Sequence, residues 1–237
     1  MRVVALVPWR SDGGRRDVLW AWVRERWERL HPEWPVYVGE SPDGPFCRSH
    51  ALNRASKAAG AWDVAVLLDA DAIVDPDRLR EAVLKADTTG GFVIAYDRYC
   101  YLDKPMTDRI LDGFTNNWWP GVEWSMTNTC STVVTVPRRL WDQVGGFDEG
   151  FIGWGFEDCA FSVACAAFGG RYRVPGELWH LWHPPSTENR HESLNWQAGL
   201  ARLNLYAECQ EDPAKVGPLL EQLGVKKKRR TRTKTPA

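Results

Sequence analysis

The stretch "AVLLDADAIVDP", residues 65–76, constrains this chain more than any other. Ala65 to Leu68 is a continuous apolar run, the pattern of a strand buried on both faces. It stops at Asp69 and Asp71. Residues two apart in extended chain point to the same side, so the two carboxylates share one site. Like charges at the end of a core strand repel and require a neutralising partner. A hard divalent cation, Mg²⁺ or Mn²⁺, supplies this through oxygen ligands and commonly holds phosphate as well. A plainer role is also open, in which Asp69 and Asp75 cap the turn into a helix opened by Pro76.

Elsewhere, apolar runs alternate with helical periods. "RVVALVP", "PVYVG", "FVIAY", "CSTVVTVP" and "RYRVP" read as strands. Helices are expected over residues 17–30 (Val18, Leu19, Trp22, Val23 and Leu30 apolar), over 47–60 (Ala51, Leu52, Ala55 and Ala58 inward) and from Pro76 onward. "RRLWDQVGG", "EDCAFSVACAAFGG" and residues 189–209, with Leu194, Ala198, Ala201 and Leu205 inward, complete the helices. This order predicts a single α/β domain with a mostly parallel central sheet flanked by helices. Residues 97–125 carry few periodic signals and read as a long loop near a ligand.

With 44% hydrophobic and 26% charged residues, the chain should be globular, and no apolar run approaches a membrane span. The N-terminal apolar run soon meets Pro8 and Arg10, a poor export signal. None of the six cysteines forms a C-x-x-C pair, so reduced thiols, no zinc and a cytoplasmic location are expected. The C-terminal "KKKRRTRTKTPA" holds seven basic residues and no acid, leaving the rest at a formal charge of about −8. It reads as a disordered solubilising tail, with nucleic-acid contact as the alternative.

Four blocks together resemble GT-A fold nucleotide-sugar glycosyltransferases, over residues 3–185. The strand with D-x-D is one. "VPWR" (Pro8, Trp9, Arg10) closes the first strand, where that family places its nucleotide. "FCRSHALN" (Phe46, Arg48, Asn53) is similar to the F-x-R-A-x-x-L-N segment of β-1,4-galactosyltransferases. "GGFDEGFIGWGFEDCAF" resembles the block shared by galactosyltransferases, chondroitin-type synthases and polypeptide N-acetylgalactosaminyltransferases. The resemblance implies a nucleotide-sugar half at about 1–96, an acceptor and catalytic half at about 97–188, a C-terminal helix at 189–210, and a linker with tail at 211–237. It also implies Mn²⁺ or Mg²⁺ and a nucleotide-sugar donor, UDP-linked by preference. Asp71 is then the first metal ligand, with His180 or His183 completing the shell; His180 is favoured as nearer the last strand. Asp69 orients the ribose or the metal's waters, or is itself a ligand. Pro8, Arg10, Arg48 and Asn53 meet the nucleotide sugar, and Trp9 or Phe46 stacks on the base.

In inverting relatives the Asp of E-D is the base. Asp158 takes that role here, and Glu157 holds a sugar. Retaining N-acetylgalactosaminyltransferases usually show E-N instead. Trp154, between Gly153 and Gly155, presents an aromatic face to the acceptor. Phe156 and Cys159 depart from the galactosyltransferase G-G-E-D-D-D pattern, which leaves the acceptor open among a glycan, a protein hydroxyl and a hydroxylated DNA base. Three other readings compete: a retaining transferase of the same fold, a nucleotidyltransferase, and a non-catalytic carbohydrate- or nucleic-acid-binding module. "VPWRSDGGRRD" lacks the G-x-G-T-R start of the nucleotidyltransferases, and the intact D-x-D and E-D argue against lost catalysis.

Overall fold

The computed structural model describes residues 1–153, 155–184, 194–210 and 212–226. In chain order the elements are β1 Val3–Trp9, α1 Arg15–Leu30, β2 Val36–Glu40, α2 Arg48–Ala59, β3 Val64–Leu68, β4 Ala72–Val74, α3 Pro76–Thr89, β5 Phe92–Ile94 and β6 Arg98–Leu102. They continue with α4 Lys104–Leu111, β7 Val122–Thr127, β8 Val133–Pro137, α5 Arg138–Val144, α6 Glu157–Gly169, β9 Arg171–Arg173, β10 Glu177–His180, α7 Leu194–Ala207 and α8 Val216–Gln222.

The central sheet runs β2-β1-β3-β8-β5-β9. β1 is parallel to β2 and β3, and β5 to β9, whereas β8 is antiparallel to both neighbours. The sheet is therefore mixed. The chain re-enters it at the carboxyl end of β3, where Val133 pairs with Leu68, so β8 must run back. β3 lies in mid-sheet with all five residues buried, and this puts Asp69 and Asp71 at its carboxyl end, where open α/β sheets place ligands.

Residues 97–125 differ from the expected loop. They contain β6, α4 and β7, and β6 and β7 join β4 and β10 in a second sheet ordered β4-β10-β6-β7. β7 lies at its edge with mostly exposed residues, so no clean period-2 hydrophobic signal marks it.

Two helical faces also differ from expectation. In α2 the buried face runs Ala51, Leu52, Ala55, Ser56 and Ala59; Ala58 is exposed, because a 3.6-residue period starting from Ala55 reaches Ala59. In α7, Leu194 and Leu205 face solvent, and the inward positions are Gly199 and Tyr206, followed by Cys209 just beyond the helix. In α1, Leu19, Trp20, Val23 and Trp27 are buried, while Val18 is exposed. The expected start of the C-terminal helix at 189–193 and tail residues 227–237 lie outside the described residues. Among those described, no helix is long and apolar enough to cross a membrane.

Candidate active site

Strand pairing assembles the acidic cluster. The Asp69 N–H donates to the Thr132 carbonyl (3.0 Å) and the Leu181 N–H to the Asp71 carbonyl (2.8 Å). β4 pairs antiparallel with β10 so that Ala72 faces His180. His180 Nε2 consequently lies 3.6 Å from Asp71 Oδ1, and His183 Nε2 lies 3.3 Å from Asp71 Oδ2. The two histidines the sequence offered as alternatives both face Asp71.

His183 Nδ1 is 2.8 Å from the Pro184 carbonyl, and its Nε2 is 3.4 Å from the Arg16 guanidinium. Burial lowers the His180 pKa despite Asp71 and keeps that imidazole neutral. Two imidazoles and a carboxylate, with ligand atoms all within 4.8 Å of one another, converge on one point. This donor set fits a bound divalent metal.

Arg48, the first residue of α2, neutralises the other aspartate. Its Nη2 and Nε donate to Asp69 Oδ1 at 2.8 and 3.0 Å, and Nη1 is 3.7 Å from Glu157 Oε1. Burial outweighs this pairing and raises the Asp69 pKa. Glu157, buried in the first turn of α6, is pushed up to about 7, by burial first and by Asp158 second. Its Oε2 is buried without a hydrogen-bond partner among the described residues. Asp158 Oδ1 accepts the Cys159 N–H at 2.7 Å. The segment leading into α6 needs left-handed backbone at Gly153 (φ 84°), Gly155 (φ 99°) and even Phe156 (φ 77°). Trp154 lies outside the described residues.

The remaining candidates are less directly placed. Arg10 donates to the Gly44 carbonyl (2.5 Å), Ser41 Oγ (2.9 Å) and the Pro42 carbonyl, with its guanidinium 5.6 Å from the Phe46 ring centroid. It thus ties down the loop that carries half-buried Phe46. Pro8 is buried, and Trp9 packs on Trp20 at 6.1 Å. Asn53 clamps the glycine-rich turn, donating to the Phe147 carbonyl (2.9 Å) and Glu149 Oε1 (2.8 Å) and accepting the Phe147 N–H (2.9 Å). It touches the site only through that turn.

Two contributors were not anticipated. Arg16 reaches His183, and only the basic pair in "GGRRD" beside the first strand hinted at it. Asp148 is buried and held by Arg202 (two bonds of 2.7 Å) and Tyr206 (2.8 Å), which locks α7 onto the turn before α6.

Against this geometry, a family described as the N-terminal domain of galactosyltransferase matches residues 120–177, the segment from just before β7 to the start of β10. Among solved structures, the catalytic domain of Drosophila β-1,4-galactosyltransferase 7 in complex with xylobiose superposes with TM-score 0.55 at 16% identity, covering 84% of this chain and 79% of that one. The chain has the GT-A fold. A mutant of the same Drosophila enzyme with manganese, UDP-Gal and xylobiose gives 0.54 at 17% identity, covering 81% and 79%. GalNAc-T7 with UDP, GalNAc and Mn²⁺ gives 0.53 at 12% identity; 95% of this chain covers 55% of that one. Sequence comparison with curated proteins finds no match. The matches bear out the resemblance to GT-A glycosyltransferases read from the sequence, and in the GT-A frame the acidic cluster sits at the carboxyl end of β3. They offer no support for nucleic-acid contact.

Proposed function

We propose that this chain is a metal-dependent glycosyltransferase that moves a sugar from a UDP-sugar to an acceptor hydroxyl with inversion. The convergence of Asp71, His180 and His183 beside the Arg48–Asp69 pair and the Glu157–Asp158 pair carries this reading. Residues up to about 96 form the donor half and those from about 97 to 188 the acceptor half. Asp71, His180 and His183 hold the metal; two imidazoles favour Mn²⁺ over Mg²⁺, which prefers oxygen throughout. The ion supplies a positive charge that stabilises the departing diphosphate. Arg48 fixes Asp69 for the ribose and carries a second positive charge into the site. Glu157 Oε2 accepts or donates to a sugar hydroxyl. Asp158 takes the proton from the acceptor hydroxyl as it attacks. UDP and Mn²⁺ are bound by the structural neighbours, which is why they are named for this chain. A glycan acceptor fits best, because Trp119 (42% exposed) and Trp124 (44%) offer aromatic faces to a sugar.

Asp158→Asn tests the mechanism. It keeps the shape but cannot take the proton, so transfer should slow at least about a hundredfold while donor and metal bind normally. NMR of the wild-type product should give the inverted anomer. A retained anomer, or near-normal turnover by the variant, removes Asp158 as the base.

A further inference from the structure

Cys130 lies in the loop between β7 and β8, and Cys159 in the first turn of α6, distant in sequence. Their Sγ atoms are 3.7 Å apart. All six cysteines are free, and only these two are partly exposed; Cys47, Cys100, Cys165 and Cys209 are buried. The solvent-reachable thiols are therefore the two that face each other, and they sit beside Asp158. We propose that Cys130 and Cys159 form a redox-active dithiol that a hydroperoxide converts to a disulfide, and that this bond displaces the first turn of α6.

Cys130 Sγ donates a hydrogen bond to Cys159 Sγ, so a sulfenic acid formed on Cys130 is met by the facing Cys159 thiol, which resolves it, as in thiol sensors. The Cys130 thiolate takes the terminal oxygen of hydrogen peroxide: an S–O bond forms, the O–O bond breaks, and hydroxide leaves to be protonated to water. Cys159 sulfur then attacks the sulfenic sulfur: the S–S bond forms, the S–O bond breaks, and a second water departs with the Cys159 proton. Both sulfurs are oxidised by one electron each and the peroxide is reduced by two. A dithiol reductant reverses the bond by exchange.

Closing the gap from 3.7 Å to a disulfide length of about 2.05 Å turns both side chains and draws on the chain segments that carry them. The loop side is anchored: Asn128 and Thr132 hold left-handed backbone, and the Thr132 carbonyl accepts from Asp69. The α6 side starts from the Gly153–Phe156 turn, and its Cys159 N–H is the group that fixes Asp158 Oδ1. Oxidation therefore reaches Asp158 through its own hydrogen-bond donor. The effect on transfer rests on the proposed glycosyltransferase reading; the covalent step does not.

The test uses the full chain, reduced and desalted, then treated with dilute hydrogen peroxide. Intact mass should fall by two hydrogens, peptide mapping should join Cys130 to Cys159, and dithiothreitol should reverse both. UDP release from a UDP-sugar should drop roughly a hundredfold, the scale of an ångström-level misplacement, and return on reduction. Cys130→Ser should release UDP normally and resist peroxide. If the disulfide forms but the reduced protein never releases UDP, the dithiol stands and the glycosyltransferase reading falls. Irreversible oxygen addition without the Cys130–Cys159 peptide overturns the dithiol, as does a different cysteine pairing or a tightly held Zn²⁺ that blocks oxidation at this pair.

Discussion

Replacing Arg48 with Met should expose how the acidic cluster is held. The guanidinium is only 13% exposed and lies between Asp69 (26%) and Glu157 (8%). Removing one partner of a buried ion pair costs about 3–5 kcal/mol, because the other charge is left uncompensated. Asp69 is a quarter exposed and Glu157 can protonate, so the lower end applies, about 3 kcal/mol. For a chain of this size that is roughly 6–12 °C in Tm. The pH dependence has a definite sign. Burial raises Glu157 from 4.5 to about 7. A group raised in the folded state destabilises as pH rises from its unfolded value through its folded one. Arg48 opposes that rise, so its loss should cost more at pH 8 than at pH 5. Urea unfolding followed by tryptophan fluorescence at both pH values measures this. A loss below about 1 kcal/mol at pH 8, or a larger loss at pH 5, would refute the reasoning.

Three other outcomes follow. His31 is buried, stacked on Trp34 at 4.5 Å, and lowered by burial from 6.5 to about 4. The unfolded chain binds its proton first, so stability should fall by up to roughly 3 kcal/mol as pH drops from 6.5 to about 4. His31→Phe should flatten that slope in urea titrations, and an unchanged slope would count against it. Asp148→Asn, which removes the charge held by Arg202 and Tyr206, should cost about 3 kcal/mol and loosen α7; proteolysis within α7 at the wild-type rate would contradict this. Deleting residues 227–237 should leave UDP release unchanged, while a loss would bring the basic tail into the site.

The sequence revealed what rests on continuous or periodic runs. β3, fully apolar over Val64–Leu68, could be read directly, and with it the placement of Asp69 and Asp71 at a strand end. The acidic start of α6 was equally plain. β6 and β7 escaped because β7 is an exposed edge and its partner β6 joins β10 from far along the chain. The α7 face was misjudged because Leu194 and Leu205 are apolar but exposed, while the helix docks through Gly199, Arg202 and Tyr206. Arg16 beside His183, Asn53 on the Phe147 turn and the Cys130–Cys159 pair depend on long-range packing that no local spacing encodes.

The central claim is that a metal held by Asp71, His180 and His183 makes this chain a UDP-sugar transferase. UDP release from a panel of UDP-sugars, measured with Mn²⁺, with excess chelator, and with Asp71→Ala in Mn²⁺, tests it most directly. The account predicts release only by the wild type with Mn²⁺, and a variant that still unfolds cooperatively. Undiminished release in excess chelator, or by Asp71→Ala, would contradict it.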